Sequence, residues 1–125
     1  MSKIVLIVED EVLVGMMLAR KIEEFGFTVC AVVTTGEEGL AVAERERPGV
    51  ILMDVSLGGE MDGIEAARLV RERLGIPVVF FTGYNRDENL MGRAKEVQAL
   101  AVVDKLGPVE ELISALEKGF DSFST

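Results

Sequence analysis

In this chain of 125 residues, the segment Val50-Ile51-Leu52-Met53-Asp54 is the most informative about the fold. Four apolar side chains in a row, closed by a carboxylate, are typical of a strand that lies inside a parallel sheet with both faces covered. Such a strand needs helices above and below it, because both of its faces must be kept from water. The segment therefore predicts an α/β protein and places an acid at the end of a buried strand.

Similar apolar runs elsewhere in the chain predict the remaining strands. Helical spacing of apolar residues follows each run, which gives five strand–helix units with short connections. Because crossovers between parallel strands are right-handed, we expect a five-stranded parallel sheet with helices on both faces and the flavodoxin-like strand order 2-1-3-4-5. The other runs are Ile4 to Val8, Phe27 to Val33, Val78 to Phe81 and Leu100 to Val103.

The helical segments are marked by three apolar stripes and two shorter signals. Residues 36–47 read as a helix capped by Thr35, and residues 87–97 as a weaker one, because Gly92 interrupts the pattern. Met16 and Met17 are interpreted as packing residues. The stripes are Val14, Leu18, Ile22 and Phe25; Ile64, Ala67, Val70 and Leu74; and Val109, Leu112, Ile113, Leu116 and Phe120.

Composition excludes several classes of function. The chain has 22 Asp and Glu against 13 Lys and Arg, a formal net charge of −9, one cysteine and no histidine. Ser-His and Cys-His catalysis, the common zinc sites and an internal disulfide are therefore excluded. The acidic balance argues against nucleic acid, and no apolar stretch reaches the roughly 18 residues of a membrane span. We expect a cytoplasmic protein that uses carboxylates, hydroxyls, lysine or a metal ion.

Polar residues follow the predicted strands at their carboxyl ends. An open parallel sheet binds its ligands at these ends. Neighbouring carboxylates oppose full ionisation, and a hard divalent cation such as Mg²⁺ removes that conflict. Lys105 can compensate the charge of Asp54 or of a phosphoryl group bound to it, Thr82 can donate a hydrogen bond, and Gly83 leaves room. The pattern favours phosphoryl transfer to a carboxylate. The residues concerned are Glu9, Asp10, Asp54, Thr82, Gly83 and Lys105.

This ordered set resembles a response-regulator receiver domain of two-component signalling, and the likeness covers nearly the whole chain. It implies that Asp54 accepts a phosphoryl group from a phosphohistidine on a sensor histidine kinase or a histidine phosphotransfer protein. It also implies that Mg²⁺ is bound by Asp10, Asp54 and the main-chain carbonyl of Ser56, with Glu9 holding the ion through water. The matching motifs are Glu9-Asp10, Asp54, Asp62-Gly63, Thr82-Gly83 and Lys105.

The resemblance extends to a switch near the end of the fourth strand. Lys105 and Thr82 would contact the phosphoryl oxygens, and Thr82 would shift inward when the site is phosphorylated. The segment Phe80-Phe81-Thr82-Gly83-Tyr84 is similar to the Phe-Ala-Thr-Gly-Tyr signature of a subgroup of single-domain regulators. Tyr84 is a candidate gate that shields the acyl phosphate from water.

Two departures from the family pattern leave a second function open. Val102 stands where most members have an aromatic residue, and Leu106-Gly107-Pro108 follows Lys105 where most have proline directly after the lysine. The alternative is a degenerate receiver that binds partners without phosphorylation. A phosphatase with an aspartyl-phosphate intermediate would need a second aspartate two positions after Asp54, where the chain has Ser56.

The expected domain organisation is simple. Residues 1–121 would form one receiver domain, and residues 122–125 a short polar tail. No effector domain is expected, so the output would be a change in binding to an unknown downstream protein. We expect a signalling switch and not an enzyme.

Overall fold

Strand and helix alternate five times in the computed structural model, which describes residues 3–57, 61–83 and 88–121. The predicted tail at 122–125 lies outside the described residues. The strands are β1 (Ile4–Val8), β2 (Thr28–Val33), β3 (Val50–Asp54), β4 (Val78–Thr82) and β5 (Ala101–Asp104). The helices are α1 (Val12–Glu23), α2 (Gly36–Glu46), α3 (Gly63–Leu74), α4 (Glu88–Glu96) and α5 (Val109–Asp121).

The five strands form one parallel sheet in the order β2-β1-β3-β4-β5, so the predicted topology is confirmed. Strand β3 lies at the centre, between β1 and β4. Every residue of β3 and of β4 is buried, which explains why both strands are continuous apolar runs and not alternating ones.

Helices cover both faces of this sheet and divide the core in two. On one face, side chains of α2, α3 and α4 pack against the strands around Phe80. On the other face, side chains of α1 and α5 pack around Phe81. These two phenylalanines are consecutive because successive side chains of a strand point to opposite faces. In the part of the chain that the structure describes, no helix has the length and apolar character that a bilayer crossing demands.

Three sequence-based assignments on α1 are wrong. Phe25 follows the end of the helix and is 49% exposed, although the stripe placed it in the core. Met16 and Met17 are 59% and 71% exposed, so they are not packing residues of this core. The physical reason is their position, because the side of α1 that meets the sheet carries Gly15 and Ile22.

Other features of the elements agree with the sequence more closely. Thr35 caps α2 as predicted, since its Oγ1 accepts a hydrogen bond of 3.1 Å from the N–H of Glu38. Asp62 caps α3 in the same way through the N–H of Glu65, at 2.8 Å. Cys30 is partly buried on the edge strand β2, where burial raises the pKa of its thiol.

The start of α3 lies directly against the end of β3. A Cβ atom on Gly63 would overlap the carbonyl oxygen of Asp54 and would lie 3.0 Å from the Cα of Val55. The N–H of Gly63 also donates to the Val55 carbonyl at 3.3 Å. Only glycine allows α3 to begin this close to the backbone that carries Asp54.

Replacing Gly63 with alanine should therefore force the two backbones apart. We expect Gly63→Ala to lower the free energy of unfolding by roughly 1–3 kcal/mol, the usual cost of overpacking. The measurement is urea unfolding followed by circular dichroism.

Gly92→Ala is the matched control, because no described atom lies within 4 Å of a Cβ placed there. Gly92 is inside α4, where alanine is favoured over glycine by roughly 0.5–1 kcal/mol, so this variant should be slightly more stable. Equal unfolding free energies for the two variants would contradict the close packing at Gly63.

Candidate functional site

The candidate site lies at the carboxyl edge of the sheet, where β1, β3, β4 and β5 end. Val8 pairs with Met53 in adjacent strands, so the residues that follow, Glu9 and Asp54, leave the sheet at the same level. On the other side, the main-chain N–H of Lys105 donates to the Thr82 carbonyl at 2.7 Å. Strand order and register therefore bring residues that are distant in sequence to one edge.

Lys105 contacts two buried carboxylates at this edge. Its Nζ lies 2.7 Å from Oε1 of Glu9 and 3.3 Å from Oδ2 of Asp54. Glu9 is 1% exposed and Asp54 is 4% exposed, while the lysine side chain keeps some contact with solvent. The Nζ also lies 5.7 Å from the ring centroid of Phe81. Burying two carboxylates is costly unless they are paired, and this one ammonium group serves both.

Main-chain N–H groups bind the remaining oxygens of the two carboxylates. The N–H of Ser56 donates to Oδ1 of Asp54 at 3.0 Å, and the N–H of Glu11 donates to Oε2 of Glu9 at 3.3 Å. Each carboxylate is thus held between the lysine and the loop that follows its own strand. This double attachment fixes the orientation of both side chains.

The charges at the edge are not balanced. Burial and a hydrogen bond with Asp54 raise the pKa of Glu9 to about 7, although the contact with Lys105 works in the opposite direction. Burial lowers the pKa of Lys105, but the hydrogen bond with Glu9 and the charges of Asp54 and Glu9 raise it above its usual value overall. One ammonium group compensates one carboxylate, so the second retains a proton more easily.

Asp10 adds a third carboxylate on the solvent side. Glu9, Asp10 and Asp54 each offer one oxygen, and these oxygens all lie within 4.8 Å of one another. An all-oxygen donor set with excess negative charge suits a hard divalent cation, which keeps several water ligands where the site is open. The residues present therefore fit the Mg²⁺ ion that the sequence implies.

The other predicted site residues are placed less completely. Thr82 is buried at the end of β4, and a Cβ on Gly83 would meet no described atom within 4 Å, so there is space beside it. Ser56 is located through its N–H, and the role of its carbonyl as a metal ligand stays a prediction. Tyr84, the candidate gate, lies outside the described residues.

Sequence reasoning missed two features of this site. It paired Lys105 with Asp54 and assigned Glu9 to the ion, yet the shortest contact of the ammonium group is with Glu9. It also used Gly63 only as part of a motif and did not predict its contact with Asp54. Glu9 directly follows a buried central strand, where an acid needs a cation, but the sequence carries no signal for which of the two acids lies nearer to Lys105.

The raised pKa of Glu9 makes stability depend on pH in the metal-free protein. A pKa of about 7 in the folded state, against an ordinary value of 4.5, means that the folded state binds this proton more tightly. The stabilisation that protonated Glu9 contributes to the folded state is fully present below pH 4.5 and is lost as the pH rises through 7. Glu9→Gln cannot lose the proton, so its unfolding free energy relative to the wild type should increase between pH 5 and pH 8.

Urea unfolding in EDTA at several pH values measures this difference. Glu11→Gln is the control, since Glu11 is exposed and lies two positions after Glu9, and its difference from the wild type should stay nearly constant. A constant difference for Glu9→Gln as well would contradict the raised pKa.

Comparisons with known proteins agree on the family. The sequence model of the family named response regulator receiver domain matches residues 5–117. The chain is 33% identical over 119 residues to the transcriptional regulatory protein PdtaR of Mycobacterium tuberculosis, covering 95% of this chain and 57% of PdtaR. It is 36% identical over 85 residues to the phyllosphere-induced regulator PhyR of Methylorubrum extorquens, covering 67% of this chain and 32% of PhyR. The chain thus spans little more than half of PdtaR and a third of PhyR.

Solved structures give the same result. The signal receiver domain of a modulated diguanylate cyclase from Desulfovibrio desulfuricans is 30% identical, with a TM-score of 0.90 over 98% of this chain and 96% of that one. The BeF3-activated N-terminal receiver domain of Klebsiella pneumoniae RstA is 28% identical, with a TM-score of 0.83 over 93% of this chain and 97% of that one. The chain therefore belongs to the response regulator receiver domain family of two-component signalling.

Proposed function

We propose that this receiver domain accepts a phosphoryl group on Asp54 from a phosphohistidine of a sensor histidine kinase or a histidine phosphotransfer protein. One observation carries the proposal. The Asp54 carboxylate is buried, lies 3.3 Å from an ammonium group, and shares a cluster of three acidic oxygens within 4.8 Å. A carboxylate in this position can act as a nucleophile toward phosphorus, and nearby cationic groups stabilise the negative charge that the phosphoryl group adds.

The transfer replaces one bond to phosphorus with another. A carboxylate oxygen of Asp54 attacks the phosphorus atom, the P–O bond of the acyl phosphate forms, and the P–N bond of the phosphohistidine breaks. The imidazole leaves with the electron pair of that bond and takes up a proton. Little more than positioning and charge stabilisation is required of the protein.

Lys105 stabilises the charge that arrives with the phosphoryl group. Its Nζ already contacts both Asp54 and Glu9, so it can exchange part of these contacts for a phosphoryl oxygen without a large movement. Thr82 ends the adjacent strand and donates its hydroxyl to another oxygen, and the space beside Gly83 admits the group. When Lys105 moves toward the phosphoryl group, Glu9 loses its ion pair with the lysine. Phosphorylation of Asp54 therefore also changes the surroundings of Glu9.

Asp10, Asp54 and the carbonyl of Ser56 would hold Mg²⁺, with Glu9 bound to it through water. A bound Mg²⁺ supplies positive charge to the phosphoryl oxygens and to the carboxylates around them. The unbalanced negative charge of Glu9, Asp10 and Asp54 supports this assignment. We propose that the domain turns over only its own phosphoryl group and that its output is altered binding to a downstream protein.

Asp54→Asn should remove phosphorylation and leave the fold intact, because asparagine has nearly the same shape but no nucleophilic carboxylate. The wild type incubated with acetyl phosphate and Mg²⁺ should gain the mass of one acid-labile phosphoryl group in an intact-mass measurement. The Asp54→Asn variant should show no gain.

Asp62→Asn is the matched control for this substitution. Its carboxylate is exposed at the start of α3, and asparagine caps a helix as well as aspartate does, so the mass gain should persist. A phosphoryl group on the Asp54→Asn variant would refute the assignment of Asp54. A wild type that never gains mass would favour the degenerate receiver.

Asp10→Asn should weaken Mg²⁺ binding, because it removes a charged oxygen from the cluster. We expect the dissociation constant to rise at least about tenfold, the smallest loss usual for residues around a metal. Isothermal titration calorimetry with MgCl₂ measures the change. Glu11→Gln removes the next acidic charge along the chain and should change the constant little. Equal losses for the two variants would indicate a general charge effect and not a site.

A further inference from the structure

The end of β4 places an aromatic ring beside the charged groups of the site. Phe81 pairs with Asp54 of β3 on one side and with Val103 of β5 on the other. Side chains at the same level of neighbouring parallel strands point to the same face of the sheet. Phe81 and Val103 both belong to the core that α1 and α5 cover, so the Asp54 carboxylate leaves the sheet on this face as well. The ring and the carboxylate are therefore neighbours on adjacent strands.

The ammonium group of Lys105 lies among this ring and two carboxylates. Its Nζ is 5.7 Å from the ring centroid of Phe81, 3.3 Å from Oδ2 of Asp54 and 2.7 Å from Oε1 of Glu9. An ammonium group within about 6 Å of a ring centroid is attracted by the negative face of the ring. The ring is thus a third group that acts on the position of Lys105.

Glu9 and the ring attract Lys105 in different directions. The strand order β1-β3-β4 places Glu9, Asp54 and Phe81 in that order across the sheet, since Glu9 directly follows β1. The space beside Gly83, which admits a phosphoryl group, lies at the end of β4 and so on the side of the ring. The contact with Glu9 therefore draws Lys105 away from the phosphoryl position, and the contact with Phe81 draws it toward that position.

A groove beside Lys105 gives its side chain room to move. Lys105 and Phe81 both line this groove of about 450 Å³ between α1 and the segment that joins β5 to α5, and Asp104 offers a carboxylate there. The lysine side chain is 21% exposed, whereas Phe81 is 5% exposed. A flexible lysine side chain stays near Asp54 only if a neighbouring group limits its movement. An aromatic ring does so and also attracts the charge.

We propose that Phe81 is a positioning residue for phosphoryl transfer. Its ring holds the ammonium group of Lys105 on the Asp54 side of the site when the contact with Glu9 is given up. This inference rests on the proposed phosphorylation of Asp54, because it assigns Phe81 a role in that reaction. The ring touches none of the reacting atoms and acts only through Lys105. Its aromatic face is required, and its bulk alone is not sufficient.

The first measurement tests the contact in the metal-free, unphosphorylated protein by proton–carbon NMR. Protons next to an aromatic face resonate upfield, so the ε-methylene signal of Lys105 should lie upfield of an ordinary lysine signal. Lys105→Met identifies this signal by removing it. Phe81→Leu should return the signal to the ordinary position, and Phe81→Tyr should keep it upfield. Lys3, whose Nζ lies 5.6 Å from the ring centroid of Phe27, is the internal reference and should not move.

The second measurement is the rate at which the folded protein gains a phosphoryl group from acetyl phosphate in the presence of Mg²⁺, followed by intact mass. Phe81→Leu should lower this rate at least about threefold, because a cation–π contact changes an equilibrium by about that factor or more. Phe81→Tyr should restore most of the rate, since tyrosine also presents an aromatic face to a cation.

Phe80→Leu is the matched control. Phe80 directly precedes Phe81, is fully buried, and lies in the core on the opposite face of the sheet. The same substitution there should lower the free energy of unfolding, as the loss of buried carbon atoms does. It should leave the Lys105 signal and the rate of the folded protein unchanged. Far-UV circular dichroism establishes that each variant is folded.

Three results would overturn this role of Phe81 alone. The first is a Lys105 signal that Phe81→Leu does not move, and the second is a signal that moves while the rate stays the same. The third is a Phe81→Tyr variant as slow as Phe81→Leu, which would leave packing as the only role of the ring. A wild type that gains no phosphoryl group would instead refute the proposed function, and this role of Phe81 with it.

Discussion

One ammonium group facing two buried carboxylates organises this molecule. Lys105 reaches Glu9 at 2.7 Å and Asp54 at 3.3 Å, and these two acids are almost without solvent contact. Removing charges from water is costly, and the cost is offset only where the geometry of the pair is good. The arrangement leaves one negative charge in excess, and the raised pKa of Glu9 is its consequence. A divalent cation or a proton completes it.

The fold explains how this pairing arises and which elements surround it. Both faces of the sheet are sealed by helices, so polar chemistry is confined to the strand ends. Gly63 then brings α3 against the backbone of Asp54, and Asp62, which caps α3, binds Arg93 of α4 at 3.1 Å. Such an exposed pair contributes at most about 1 kcal/mol, so this contact holds α4 to the start of α3 only weakly.

The fold was largely predictable, because the buried strands of a parallel sheet must be continuous apolar runs. The grouping of Glu9, Asp54 and Lys105 was predictable for a related reason, since parallel strands end at one edge. Pairing within the group was not, because it depends on which oxygen lies nearest the ammonium group once the loops have formed. Sequence patterns say nothing about distances of this kind.

Helix α1 shows a different limit of sequence reasoning. An apolar residue has the same identity whether it packs in the core or lies at the surface, so Met16 and Met17 were misassigned. The spacing of the stripe also continued to Phe25, although α1 ends at Glu23. The available signal was that the first two turns of α1 are apolar on every side, which is more apolar surface than one face packed on the sheet can bury.

A double-mutant cycle on Lys105 and Glu9 tests most directly whether these side chains meet. Lys105→Met should destabilise the wild type by leaving two buried carboxylates without a cation, and should cost much less in the Glu9→Gln background. Unfolding free energies measured without metal should therefore give a coupling of roughly 0.5–3 kcal/mol, as for residues in contact. Additive effects, within about 0.5 kcal/mol, would show that the two groups act independently and would contradict the account.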